Sequence, residues 1–345
     1  MWVACLHSYW RNSGWNMHNP AQFGRVLLLM GGWSSERSVS LKSGATVLAA
    51  LQRADVDVTT WDVQRDFLPA LLAAHQAKPF DRAFIILHGR GGEDGQIQAV
   101  LELMGIPYTG TDRAGSAIGM DKLACKRIWR GEGLPTPPWA LVETLTEAEA
   151  ALVGLGLPVM VKPVAEGSSV GIAKVDRIEQ LPAAFREAQR YGHVLMERYI
   201  RGEEYTVSLL NGRALPVIRL STTHDFYDFD AKYLADDTQY DIPCGLDPAE
   251  EALMQELALQ AFATVGGSGW GRVDFMRDGQ SDGLSNHPGQ NWLIEVNTVP
   301  GMTDHSLVPM AARAVGMSIE DLCLEILAQT FNHTALDADD TEAQV

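Results

Sequence analysis

Trp270-Gly-Arg-Val-Asp-Phe-Met276 and Asn291-Trp-Leu-Ile-Glu-Val-Asn-Thr-Val-Pro-Gly-Met-Thr303 are two short stretches joined by a polar run, and each reads as a β-strand. Side chains alternate along a strand. Arg272 and Asp274 therefore share one face of the first, against Val273 and Phe275. In the second, Glu295 and Asn297 share a face opposed to Ile294 and Val296. Paired as a hairpin, the strands gather one cation, two carboxylates and an amide on one side of a sheet whose other side is apolar. Such hard oxygen donors suit Mg²⁺, which is usually held by one or two carboxylates together with the phosphates of a nucleotide. Without a metal, carboxylates buried this densely repel one another. The same alternation also describes a plain antiparallel hairpin with a solvated polar face. Both readings stand on pattern alone.

Upstream, Arg25 to Met30 is a short apolar run ending in Gly31-Gly32, as expected of a buried parallel strand. A helical pattern follows through Val47, Leu48 and Leu51. Val56 to Val63 reads as a second strand and Ala83 to Leu87 as a third, which ends in the polar turn His88-Gly-Arg-Gly-Gly-Glu-Asp-Gly95. Leu103 to Thr109 reads as a helix end and a further short strand. Strand, glycine turn and helix in repetition predict a doubly wound parallel sheet, with ligands at the carboxyl ends of its strands. Glu36 and His88 stand at such ends. From Asp112 the pattern changes. A helix is expected to carry Met120-Asp121-Lys122-Leu123, then a Pro-rich linker runs from Gly131 to Pro138. Strands follow at Pro158–Pro163, Gly171–Val175 and Val194–Glu197. A third unit runs from Glu203 through the hairpin to an amphipathic helix near Ile319 to Phe331.

The 345 residues suffice for two or three domains, and a net charge of −17 disfavours a general nucleic-acid binder, which needs a basic patch. Four cysteines, at 5, 125, 244 and 323, form no CxxC pair and read as reduced thiols of a cytoplasmic protein. No apolar run reaches the ~18 residues of a spanning helix. Residues 1–24 lack the basic and apolar regions of a signal peptide and are expected to be a disordered extension, with Met17 a candidate start. The acidic tail, 332–345, also reads as disordered.

Several local features admit two readings each. The loop Glu166-Gly-Ser-Ser-Val-Gly171 offers backbone donors and hydroxyls that can form a nest over phosphate oxygens, or it is a plain hairpin turn. It is not a P-loop, and Gly89-Arg-Gly-Gly-Glu-Asp lacks the last glycine of a dinucleotide fingerprint. Lys162 interrupts the apolar strand Val159-Met-Val161, where it serves a phosphate or guards a sheet edge. Glu197 either accepts from a ribose hydroxyl or faces solvent. His88 is a general base or a strand-end histidine. Ser34, Ser35 and Glu36 compete with Ser38 and Ser40 as helix N-caps. Lys232-Tyr233 follow Phe226-Tyr-Asp-Phe-Asp-Ala in a polar segment that reads as a lid or as an ordinary aromatic surface loop.

Taken together, the strings GGWSSERSVSLKSG, LHGRGGEDGQIQ, MDKL, VKP with EGSSVG, YDFDAKY, GWGRVDFM and IEVNTVPGMT…HSLVPMAA, in this order, closely resemble the D-alanine–D-alanine ligases of the ATP-grasp superfamily. The resemblance runs from about Arg25 to Phe331. It implies α/β and α+β structure in a three-domain ATP-grasp architecture: an N-terminal doubly wound parallel sheet (25–111), then central (112–202) and C-terminal (203–331) ATP-grasp domains. It further implies joining of two D-alanines with ATP and Mg²⁺, Mn²⁺ being an alternative metal, for peptidoglycan precursors, by a cytoplasmic protein that is commonly a homodimer. By motif matching, Lys122, Lys162, Glu197 and Glu204 are expected to hold the nucleotide. The backbone of Arg198, Tyr199 and Ile200 is expected at adenine, and Ser168 and Ser169 in the loop over the phosphates. Asp274, Glu295 and Asn297 match the metal ligands. Arg272 and Gly301 resemble an oxyanion site, and Glu36 matches the holder of the first ammonium, with Ser168, Tyr233 and His88 near it. Lys232, Ser306 and Leu307 match the pocket for the second substrate's carboxylate.

Departures are a longer loop at Arg277 to Asn291, expected to project into solvent, and Val299 and Asp304 where small hydroxylic residues are usual. Asp304 bears on the second-substrate site because it adjoins Ser306. The nearest rivals are D-alanine–D-lactate and D-alanine–D-serine ligases, which replace the lid tyrosine that Tyr233 retains. A non-catalytic nucleotide-binding protein is expected to lack Asp274, Glu295 or Arg272, and all three are present.

Overall fold

A computed structural model describes residues 18–167, 170–221, 238–279 and 289–332. The first sheet is parallel, in the order β2-β1-β3: β1 is Arg25–Gly31, β2 Asp57–Val63 and β3 Arg82–Ile85. β1 lies in the middle and is apolar after Arg25, with Val26, Leu27, Leu28 and Leu29 fully buried. β2 is an edge strand and alternates towards solvent. Helix α1 (Arg37–Arg53) links β1 to β2, and α2 (Leu68–Ala77) links β2 to β3. The buried residues of α1, Val39, Ser40, Ser43, Gly44, Val47, Ala50 and Leu51, recur every three or four positions, as one helix face requires. Gly44 lies so close to β1 that an added Cβ would meet the Met30 sulfur at 2.5 Å.

Here the sequence reading needs three corrections. Leu103 to Thr109 begins with the expected helix end, that of α3 (Gln96–Leu103), but its further strand shrinks to a single parallel bridge, Tyr108 to Ala83. The serines do not cap α1. Glu36 occupies the cap position without a side-chain cap bond. Ser40 instead staples two strand ends, donating to the Ile86 carbonyl (2.6 Å) and accepting from the Gly31 amide (2.9 Å). Nor does one helix carry Met120 to Leu123. α4 (Arg113–Met120) ends and α5 (Lys122–Gly131) begins on either side of Asp121, which is extended and accepts from the Ala124 amide at 2.9 Å. An aspartate at an N-cap satisfies an otherwise orphaned donor, so the chain turns there.

The second sheet is antiparallel, in the order β4-β7-β5-β6, from Trp139–Val142, Val194–Arg198, Val159–Pro163 and Ala173–Val175. Helices α6 (Leu145–Leu155) and α7 (Leu181–Gln189) cover one face through Ala148, Leu155, Leu181 and Phe185.

The third sheet runs β11-β10-β8-β12-β13, with the two-residue β9 (Arg213–Ala214) beside β8. Its members are β8 (Gly202–Leu210), β10 (Ile218–Ser221), β11 (Gln239–Asp241), β12 (Trp270–Asp278) and β13 (Asn291–Asn297). Helix α8 (Pro248–Thr264), capped by Asp247, packs on it together with α5. β12 and β13 pair as the predicted hairpin, but β13 carries an extra residue. Asp274 faces Glu295, whereas Phe275 faces Leu293. Ile294 is the bulged position, and Leu293 takes its expected place in the core beside Val273, Phe275 and Val296. The last helices, α9 (Leu307–Ala314) and α10 (Ile319–Ala328), return to the first sheet and share its core through Val308, Ala311, Leu322 and Ile326.

Candidate active site

One cleft draws on all three sheets. It is lined by Glu36, His88 and Glu93 from the strand ends of the first, Gly119, Met120 and Lys122 at the α4–α5 break, Glu166 and Gly167, Arg272, Glu295 and Asn297 on the hairpin, and the turn leading through Gly301 to Ser306 and Leu307.

The hairpin supplies the acids. Register places Arg272 opposite Asn297 and Asp274 opposite Glu295. Arg272 grips Asp274 with two parallel bonds of 2.8 Å each. Asp274 also accepts from Thr206 Oγ1 on β8 (2.6 Å) and from Asn297 Nδ2 (3.1 Å). Because Asn297 spends its amide nitrogen on Asp274, its carbonyl oxygen is the atom left to act as a ligand. Glu295 lies 3.5 Å from the Lys122 ammonium. Among the described residues no cluster of three His, Cys, Asp or Glu side chains converges, so a metal here rests on two carboxylates and an amide. That donor set fits Mg²⁺ completed by phosphate oxygens, with Arg272 neutralising Asp274 meanwhile.

His88 is buried and both its ring nitrogens are engaged. Nδ1 lies 2.8 Å from the Val299 carbonyl, an acceptor only, so Nδ1 carries the proton. Nε2 then accepts from Ser43 Oγ (3.2 Å), which in turn accepts from the Met302 amide (3.1 Å). Burial pushes the imidazole pKa down, against the raising influence of Glu36. A neutral histidine bonded at both nitrogens orients the turn from Val299 to Met302 and has no open site from which to act as a general base.

Glu93 was not singled out from sequence. Its two oxygens accept from the Gly89 amide (2.6 Å) and the Val299 amide (3.2 Å), joining the glycine turn after β3 to the turn after β13. Burial first, and the nearby charge of Glu36 second, push its pKa up to about 8. Glu36 is itself buried, and added Cβ atoms on Gly89 and Gly167 would meet its carboxylate at 2.6 and 2.8 Å. The Glu36 carboxylate, confined beside Glu93, forms a binding place for a cation such as an ammonium.

Ser306 and Leu307, expected at the second substrate, lie at the start of α9. Ser306 Oγ accepts from the Thr303 amide (2.9 Å) and an added Cβ on Gly301 would meet it at 2.8 Å. Leu307 belongs to the core. Asp304 is exposed, is absent from the cleft lining, and gives its carbonyl to Arg313 (2.9 Å).

Of the expected nucleotide residues, Lys122, Lys162 and Glu197 lie on and beside the second sheet. Lys122 donates to the Glu166 carbonyl (2.6 Å), at the mouth of the glycine loop. Glu197 does not face solvent: it is 2% exposed, with Lys162 at 2.8 Å on one oxygen and Lys126 against the other. Burial raises its pKa, but the two ammoniums outweigh burial and leave it below the ordinary value. Lys126 was missed in the sequence, although it lies four residues after Lys122 on the buried face of α5. The amides of Arg198 and Tyr199 are already used, by the Pro138 (2.9 Å) and Pro158 (3.2 Å) carbonyls. Glu204 is half-buried on β8, opposite Met276 and Leu220. Ser168, Ser169, Lys232 and Tyr233, and the inserted run at 280–288, lie outside the described residues.

A parallel sheet joined to two antiparallel sheets, with Lys122 and hard oxygen donors lining the cleft among them, is the ATP-grasp architecture. The model of the D-ala D-ala ligase N-terminus matches residues 67–111 and that of the C-terminus residues 128–328. The D-alanine--D-alanine ligase of Ectopseudomonas mendocina (strain ymp) is 55% identical over 313 residues, covering 90% of this chain and 96% of its own. The crystal structure of the D-alanine--D-alanine ligase from Bacillus anthracis superposes with a TM-score of 0.76 at 34% identity, covering 91% of this chain and 99% of that one. The same protein complexed with ATP gives 0.73 at 32% identity, with the same coverages. The chain belongs to the D-alanine–D-alanine ligase family.

Proposed function

We propose that the protein joins two D-alanines to D-alanyl-D-alanine with conversion of ATP to ADP and phosphate. The reading is carried by the convergence, in one cleft, of the Glu36–Glu93 acid pair, Arg272 and the hairpin oxygen donors. Glu36, with Glu93 behind it, binds the ammonium of the first D-alanine and turns its carboxylate towards the hairpin. That carboxylate attacks the γ-phosphate, giving an acylphosphate and ADP. Lys122 and Lys162 are assigned to offset charge on the phosphates, since the protein's part in phosphoryl transfer is mainly positioning and neutralisation. Asp274, Glu295 and Asn297 are the residues to hold Mg²⁺, or Mn²⁺ in its place, which supplies further neutralisation. Ser306, with Lys232, receives the carboxylate of the second D-alanine. Its amine attacks the acyl carbon and phosphate departs as the peptide bond forms. Arg272 and the Gly301 amide steady the oxyanion of that tetrahedral stage.

Ser168, Ser169 and Tyr233 are assigned to loop closure over the phosphates and Glu36. Arg198 to Ile200 and Glu204 are assigned to the nucleoside end. With the Arg198 and Tyr199 amides engaged, the Ile200 amide is assigned to adenine. We place the reaction in the cytoplasm, serving peptidoglycan precursors, in a homodimer.

Phosphate and dipeptide release are to be followed with ATP, Mg²⁺ and D-alanine, beside L-alanine, D-serine and D-lactate. Stoichiometric D-alanyl-D-alanine with weak response to the others is expected. Turnover of D-lactate equal to or above that of D-alanine would overturn the substrate assignment.

A further inference from the structure

The cluster around Glu197 holds one more positive charge than its acid balances. Lys126 is fully buried, Lys162 is 4% exposed and both engage the one carboxylate. Surplus charge out of water is costly unless an anion answers it. The two lysines are not held alike. Lys126, on α5, also donates to Thr136 Oγ1 at 2.7 Å, and Thr136 donates to the Leu293 carbonyl on β13 at 3.0 Å. It is thereby tied at once to β7, to the 135–138 segment and to the metal-ligand strand. Lys162, on β5, makes its bond to Glu197 at 2.8 Å from one strand away in the same sheet. Its side chain can leave Glu197 without exposing an unpaired carboxylate only if Lys126 stays.

We propose that Lys126 is a positioning residue, the standing counter-ion of Glu197, and that its presence frees Lys162 to move onto a nucleotide phosphate. The proposal rests on the nucleotide role given to Lys162 above. In the resting chain the two ammoniums share one carboxylate. When the triphosphate enters, Lys162 exchanges its carboxylate partner for a phosphate oxygen, and Glu197 remains ionised beside Lys126.

The quantity to measure is the ratio of adenosine to ATP dissociation constants, obtained by calorimetry with Mg²⁺ present on the full chain. This ratio isolates what the phosphates add. Loss of one charge-assisted contact corresponds to about tenfold or more. In Lys126→Met, Glu197 retains Lys162, and the ratio is expected to fall about tenfold with KM for D-alanine unchanged. Lys126→Arg should keep the wild-type ratio. Adding Glu197→Gln to Lys126→Met removes the competitor and should restore the ratio, although both ligands then bind more weakly at the nucleoside end. A merely structural lysine would lower both affinities together and leave the ratio alone, which overturns the proposal. Should Lys126→Met fail to fold, Glu197→Gln alone and the double variant must share one ratio. A lower ratio in the double variant would mean that Lys126 touches phosphate itself and would refute the exchange. A wild-type ratio near one would instead remove the phosphate role of Lys162, and the proposal with it.

Discussion

Glu93 shows how far one side chain departs from what its letter suggests. In the string GGEDG it reads as turn polarity, yet it bonds two turns from different sheets and shares a pocket with Glu36. With a folded pKa of about 8 against an ordinary 4.5, the folded chain keeps the proton where the unfolded chain has lost it. Below about pH 4.5 both forms hold it and nothing is lost. As pH climbs from there to 8, ionisation favours the unfolded chain, so stability drains across that window. Glu93→Gln should therefore show a shallower decline in melting temperature between pH 5 and 8 than the wild type. Equal slopes would mean that Glu93 is ionised in the folded chain. Lys126 escaped the sequence reading for a related reason. Lysine is rarely buried, and only the position of its neighbour Glu197, 71 residues away, makes the burial tenable.

At the scale of elements, what followed from alternation or from a 3.6-residue period was legible: β1, the face of α1, and the pairing of Arg272 with Asp274 across from Glu295 and Asn297. Interruptions of period were not. The bulge at Ile294 exchanges Leu293 for Ile294 in the core, and nothing in NWLIEVN marks which residue is the extra one. The break at Asp121 hides in a stretch that is helical on both sides, because Asp differs from a helix interior residue mainly in what it can cap. α5 owes its place to Trp129, which is fully buried and donates its indole to the Ala261 carbonyl at 3.0 Å. Trp129→Ala should destabilise by about 3–5 kcal/mol, read as a lower denaturant midpoint. Since α5 also carries Lys122 and Lys126, ATP affinity should fall in the same variant. A shift under about 1 kcal/mol would place the anchoring of α5 elsewhere.

For the whole molecule, a ligand that touches several sheets should stabilise all of them together. At 100 times its dissociation constant, ATP is expected to add about 2.7 kcal/mol, seen as a single upward shift of the melting transition without D-alanine. Mg²⁺ should enlarge the shift in the wild type and leave it unchanged in Glu295→Ala, whose dipeptide formation should fall at least a hundredfold. Near-normal turnover by Glu295→Ala would overturn the metal assignment. The architecture was legible at this scale because seven motifs stand in order along the chain. The engagement of the Arg198 and Tyr199 amides and the sharing of one core by distant segments were not, since both are made by contacts between residues far apart in sequence.

That shared core has a consequence for how the protein is made. The core that holds Leu27 and Leu29 also takes in Val308, Ala311, Leu322 and Ile326. About 200 residues separate the bridge at Tyr108 from the start of α9. At roughly 5–20 residues per second of synthesis, the first sheet waits about 10–40 s beside the ribosome with that core incomplete. The nascent chain should therefore engage chaperones until α9 and α10 emerge, and a chain stopped before Leu307 should be found degraded or aggregated rather than half-built.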